Sequence, residues 1–142
     1  MDLEALNLHA TPTLGAVSPL LIVTRLRRSI VFYYTRLGFE VRYATPQDEP
    51  FFAIVGRGQA QLMLKDPRVD ASETIQAAPN VTRHANAPWD AFVATPDPDA
   101  LAAELTNRDM TLSSPLEART DGLIGFAVKD PDGYVLFFGR PA

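Results

Sequence analysis

Residues 29–39 read SIVFYYTRLGF and residues 130–139 read DPDGYVLFFG, and these two stretches decide the fold. In the first, Ile30, Tyr33, Tyr34 and Leu37 recur at helix spacing and leave Arg27, Arg28, Thr35 and Arg36 for water. Gly38 then suits the left-handed residue that ends a helix. The spacing predicts a helix over 26–37, with Phe32, Tyr33, Leu37 and Phe39 as the apolar anchor that fastens it to the back of a sheet. In the second stretch, Asp132-Gly133 is a hairpin turn between two apolar strands.

Outward from these anchors the chain repeats one pattern. The run AVSPLLIVT at 16–24 is an apolar, β-branched strand that feeds the helix. Residues 39–44, 51–55 and 59–65 read as three short strands separated by the turn-rich TPQDEP and by Gly56-Arg57-Gly58. Residues 66–88 lack periodicity and read as a linker or covering loop. The pattern restarts with a strand at 89–95, a helix in PDPDALAAELTNRD at 96–109, a short strand at 110–114, and strands at 123–128 and 134–139. Asp97 and Asp99 sit where carboxylates complement a helix N-terminus. The prediction is an α+β fold of two βαβββ modules: an N-terminal tail over 1–14, then one domain over 15–142, made of module one (15–66), a linker (67–86) and module two (87–142).

Composition narrows the chemistry. The 142 residues include no Cys, so a thiol nucleophile, a Cys-ligated zinc site and a disulfide framework are excluded. A net charge of -4 argues against a nucleic-acid partner. No run approaches the ~20 apolar residues of a membrane span, and residues 1–10 do not read as a signal peptide; the expected location is cytoplasmic, with no membrane partner. Asn80-Val81-Thr82 matches a glycosylation sequon and reads as a polar loop. The two histidines, His9 in the tail and His84 in the linker, are badly placed for a Ser-His-Asp triad. Gly56-Arg57-Gly58 joins two strands and opens no helix, so it reads as a hairpin and not a phosphate loop. Residues 15–66 carry seven basic and four acidic side chains, whereas 87–142 carry four and nine, an asymmetry that favours pairing of unlike modules.

With SIVFYYTRLGF and DPDGYVLFFG in this order and separation, the chain resembles the vicinal oxygen chelate superfamily over roughly residues 16–140. That superfamily includes glyoxalase I, extradiol dioxygenases, and the fosfomycin and bleomycin resistance proteins. The resemblance implies two modules forming an open, cupped mixed sheet around a cavity, with helices outside. In metal-dependent members, His, Gln or Glu from the first and fourth strands of each module hold a divalent ion. Those positions fall here on Ser18, Asp90, Phe137, and Leu62 or Met63 with Gln61 beside them. Such a set does not suit a hard divalent ion, so no metal, no other cofactor and no catalytic residue are expected.

The resemblance therefore implies the metal-free branch, similar to the bleomycin resistance proteins: a homodimeric antibiotic-resistance-like protein that sequesters an amphipathic or aromatic small-molecule ligand. Its candidate ligand-binding residues are Ser18, Phe51, Trp89, Asp90, Phe92, Phe126 and Phe137. Strand alternation adds that, if Phe137 faces the cup, Val135 does so too and Phe138 does not. Asp90 and the acidic second module favour a cationic or hydrogen-bond-donating ligand with a flat apolar body. Two alternatives remain: a metal-dependent glyoxalase-like lyase or thiol transferase with displaced ligands, and a fold whose cup is plugged by its own side chains.

Overall fold

A computed structural model describes residues 11–67 and 76–142. The elements follow in the order β1 (Leu20–Ile22), α1 (Leu26–Leu37), β2 (Glu40–Thr45), β3 (Phe52–Arg57), β4 (Ala60–Lys65), α2 (Asn80–Arg83), β5 (Ala91–Ala94), α3 (Pro98–Asn107), β6 (Ser114–Ala118), β7 (Leu123–Lys129) and β8 (Val135–Pro141). The strands form two four-stranded mixed sheets, ordered β1-β4-β3-β2 and β5-β8-β7-β6. In each, the first strand runs parallel to the fourth and the remaining pairs are antiparallel. The same topology thus occurs twice, the α+β class that the sequence pattern predicts.

Local chemistry explains most boundaries. α1 buries Leu26, Ser29, Tyr33 and Leu37, one stripe at three- and four-residue spacing, and stops at Gly38 with φ 69°, whose N–H donates to the Tyr33 carbonyl. α3 begins with Pro98 after Asp97, whose Oδ1 accepts from the Ala100 N–H at 3.0 Å. Between β3 and β4, Arg57 pairs with Ala60, leaving a two-residue turn at Gly58-Gln59.

Two expectations are corrected. The strand predicted at 110–114 lies at Ser114–Ala118; Met110 and Leu112 instead pack against the core from irregular chain. β6 lies at a sheet edge, where Pro115 costs no ladder bond, and its register shifts between Ser114 and Glu117. The sequon forms the single helical turn α2 and not a loop. Residues 1–10 of the predicted tail, with His9, and residues 68–75 of the linker lie outside the described residues.

One core joins the modules. Leu21, Val23, Tyr33, Leu37, Phe39, Val55 and Leu64 share a cluster with Leu105, Phe126, Val128, Leu136 and Phe138. Polar ties reinforce it: the Tyr33 hydroxyl donates to Asp130 Oδ2 at 2.8 Å, the Tyr134 hydroxyl to the Ile22 carbonyl at 2.7 Å, and Thr24 Oγ1 to Asp132 Oδ1 at 2.7 Å. Arg57 grips both Glu104 oxygens, at 2.7 and 2.6 Å, a planar fork that fixes orientation as well as distance. Because Ala53, Val55, Leu62 and Leu64 face α1, alternation sends Phe52, Ile54, Met63 and Lys65 to the opposite, open face of the first sheet.

Candidate functional site

On the second sheet the open face carries an aromatic platform. Phe137 belongs to a small second cluster with Ala127 and Val135, against which Trp89 and Leu123 pack. Phe137 and Val135 therefore share the open face, while Phe138 lies in the main core, as alternation predicts. The strands make room for the Phe137 ring: a Cβ at Gly125 or Gly139, the neighbouring positions on that face, would come within 2.8 or 2.7 Å of Phe137 Cε1. Glycine at both lets the ring lie down along the sheet.

Two further rings complete the platform. Trp89 sits 4.7 Å from Phe137 at an interplanar angle of 31°, and Phe92 stacks on it at 5.9 Å and 19°. Phe137 is 1% exposed and forms the floor, while Phe92 is 43% exposed and presents its ring to solvent. The Arg119 guanidinium lies over two of the rings, its Cζ 4.9 Å from the Trp89 centroid and 5.3 Å from that of Phe137. Both distances are within cation–π range.

Phe92 also walls a concave space of about 320 Å³ between the chain entering β1 and strand β5, shared with Ala16, Pro19, Gln61 and Ala91. Its size is at the lower end for a small-molecule pocket. A second cleft of about 430 Å³ opens on the helical side of the same junction, between Leu37, Arg57, Val93, Leu105 and Phe138.

The structure divides the predicted site residues. Trp89, Phe92 and Phe137 come together. Ser18 lies beside the smaller cleft, its Oγ accepting from Gln61 Nε2 at 2.9 Å. Asp90 is hydrogen-bonded within the protein: Oδ1 accepts from the Asn80 N–H at 2.7 Å and Oδ2 from the Val135 N–H at 2.9 Å, which ties α2 to the start of β8. Phe126 is fully buried in the main core, stacked on Phe138 at 5.5 Å, on the face opposite Phe137. Phe51 precedes β3, and alternation places it off the open face, where Phe52 stands instead, edge-on to Tyr43 at 6.2 Å.

Sequence reasoning missed Arg119, Tyr43 and Phe52. Period-two alternation in β3 could have found Phe52 had the strand been started one residue later. Arg119 follows β6, which the sequence misplaces.

A divalent ion of the kind held by metal-dependent members of such folds does not fit here. Ser18 is hydrogen-bonded to Gln61, both Asp90 oxygens are occupied by backbone N–H groups, Leu62 faces α1, and Phe137 has no lone pair. Among the described residues no group of three or more His, Asp or Glu side chains converges on one point. No described helix is long and apolar enough to cross a membrane.

Comparison with known proteins agrees with the fold. The model of the Glyoxalase/Bleomycin resistance protein/Dioxygenase superfamily matches residues 13–138. No curated protein matches the chain by sequence. Among solved structures, TioX from Micromonospora sp. ML1 superposes with a TM-score of 0.66 at 18% identity, over 90% of this chain and 100% of that one. The bleomycin-binding protein of the bleomycin producer Streptomyces verticillus, complexed with copper(II)-bleomycin, gives 0.64 at 22% identity over 94% and 100%. A bleomycin-binding protein complexed with bleomycin gives 0.65 at 17% over 91% and 100%. At these identities the likeness is one of fold.

Proposed function

Since the chain belongs to the Glyoxalase/Bleomycin resistance protein/Dioxygenase superfamily, we propose that it is a metal-free binding protein which sequesters an aromatic or amphipathic small molecule on the open face of its second sheet. The observation that carries this reading is the platform of Trp89, Phe92 and Phe137, with Phe92 exposed beside a cleft of about 320 Å³. Stacking on such rings adds on the order of 1 kcal/mol beyond the area buried. The donor set at the metal-ligand positions supports the binding reading over a metal-dependent lyase or thiol transferase.

The proposal includes a cytoplasmic homodimer. Leu20 and Tyr43 are 53% and 52% exposed on the open side of the first sheet, a surface that a second copy would cover, and the unequal charges of the modules suit a head-to-tail arrangement. Sedimentation at micromolar concentration should show a dimer, and a monomer would refute this part. Native mass spectrometry combined with elemental analysis tests the whole. The expected result is a small organic molecule carried through purification, without stoichiometric metal. A stoichiometric divalent ion together with turnover of thiol adducts would overturn the binding reading.

A further inference from the structure

The second sheet's open face holds a cation whose hydrogen-bonding edge is only partly used. Of the Arg119 side chain, Nε donates to Asp121 Oδ2 at 3.0 Å, and the residue's backbone N–H donates to the Leu123 carbonyl, which continues the β6–β7 pairing. The terminal nitrogens have no protein acceptor among the described residues, and the side chain is 27% exposed. The guanidinium lies over Trp89 and Phe137, within cation–π distance of both rings, and its Nε is anchored by Asp121. An arginine oriented in this way loses little freedom when it takes a planar, two-oxygen anion through its remaining N–H groups.

Asp90 accepts the N–H groups of Asn80 and Val135. Lys129, opposite Val135, and Glu117, opposite Gly125, lie on the same face and offset each other. Asp121 takes the Nε side of Arg119, so what the guanidinium adds to this face is its terminal N–H donors beside the rings.

We infer that Arg119 is a specificity-determining residue and that the ligand of this face is a planar aromatic carboxylate, its ring stacked on Phe92 and Trp89 and its carboxylate held by the Arg119 terminal nitrogens. This rests on the binding reading above and reverses the cationic ligand expected from the sequence. Arginine remains charged across the physiological range, so affinity should follow the ionisation of the ligand's own acid group.

Three probes of one shape test it: naphthalene-2-carboxylate, the uncharged naphthalene-2-carboxamide, and the cation 2-naphthylmethylammonium. Binding is measured by calorimetry on the full chain, with Trp89 fluorescence as a local reporter. The carboxylate should bind at least tenfold more tightly than the amide, and the ammonium more weakly than both. Arg119→Gln should weaken the carboxylate most and bring carboxylate and amide to within about twofold of each other; Arg119→Lys should restore part of the preference. An unaltered melting temperature of each variant confirms that the change is local. If the amide or the ammonium equals the carboxylate, or Arg119→Gln keeps the preference, Arg119 does not select the ligand and the inference falls while the binding reading stands. If none of the three binds the wild-type chain, the platform is no ligand site and both fall together.

Discussion

Asp130 closes the DPDG turn and receives the hydroxyl of Tyr33 from the other module, so its titration should be visible in the stability of the whole fold. Its residue surface is 5% exposed; Oδ2 accepts from Tyr33, and Oδ1 from the Asp132 and Tyr134 N–H groups, each at 2.9 Å. Burial lifts its pKa from 3.8 to about 6, because the hydrogen bonds it accepts only partly offset the loss of water. Tyr33, itself raised by burial and by Asp130, stays a neutral donor.

A folded-state pKa above the unfolded one means that the native protein binds the extra proton between about pH 4 and 6, so stability rises as pH falls through that window. A shift of roughly two units corresponds to about 3 kcal/mol of penalty for carrying the charge at neutral pH. Asp130→Asn removes the charge, keeps a carbonyl for the two turn N–H groups and offers Tyr33 an amide. Urea unfolding of both proteins across the range should find the variant more stable by up to about 3 kcal/mol near pH 7, with the gap closing by about pH 4. A variant that is less stable at neutral pH, with a gap that closes on acidification, would show a stabilising carboxylate and refute the reasoning.

Asp90→Ala should cost about 2–4 kcal/mol in chemical denaturation, because it leaves the Asn80 and Val135 N–H groups without an acceptor; a neutral result would return Asp90 to the candidate ligand contacts. Phe137→Glu places a carboxylate where the ring is 1% exposed and should lower the melting temperature sharply. An unchanged melting temperature there would show an exposed residue. Phe126→Ala should cost about 3–5 kcal/mol as a core cavity while leaving Trp89 emission in the surviving native state unaltered; a shifted emission would connect Phe126 to the platform.

The modular architecture was legible because its determinants are local. The α1 stripe and its terminal glycine place that helix at Leu26–Leu37, the bounds predicted from spacing. The site was less legible because strand alternation decides which face a residue occupies, and one misplaced boundary reverses the answer. Taking β3 from Phe51 leaves out that Phe52 opens the strand and stands on the open face. Phe126 pairs directly with Phe138, so its place in the core follows from a β7–β8 register that the residues themselves do not state. Asp90 falls at a ligand position of the resembled family, but its hydrogen-bond partners come from α2, ten residues back, and from β8, 45 residues on. Arg119 becomes visible only when the end of β6 returns over Trp89.

The central claim is that the Trp89, Phe92 and Phe137 rings form a ligand-binding surface, and Trp89, the only tryptophan, gives it a single indole N–H resonance. The most direct test is to follow that resonance by proton–nitrogen NMR while naphthalene-2-carboxylate is titrated into the wild-type protein and into Phe92→Ala, which removes the exposed ring. The account predicts a saturable shift of the Trp89 signal in the wild type and a severalfold weaker midpoint in the variant. A Trp89 signal that stays in place while other resonances report saturable binding would locate the ligand elsewhere and contradict the claim.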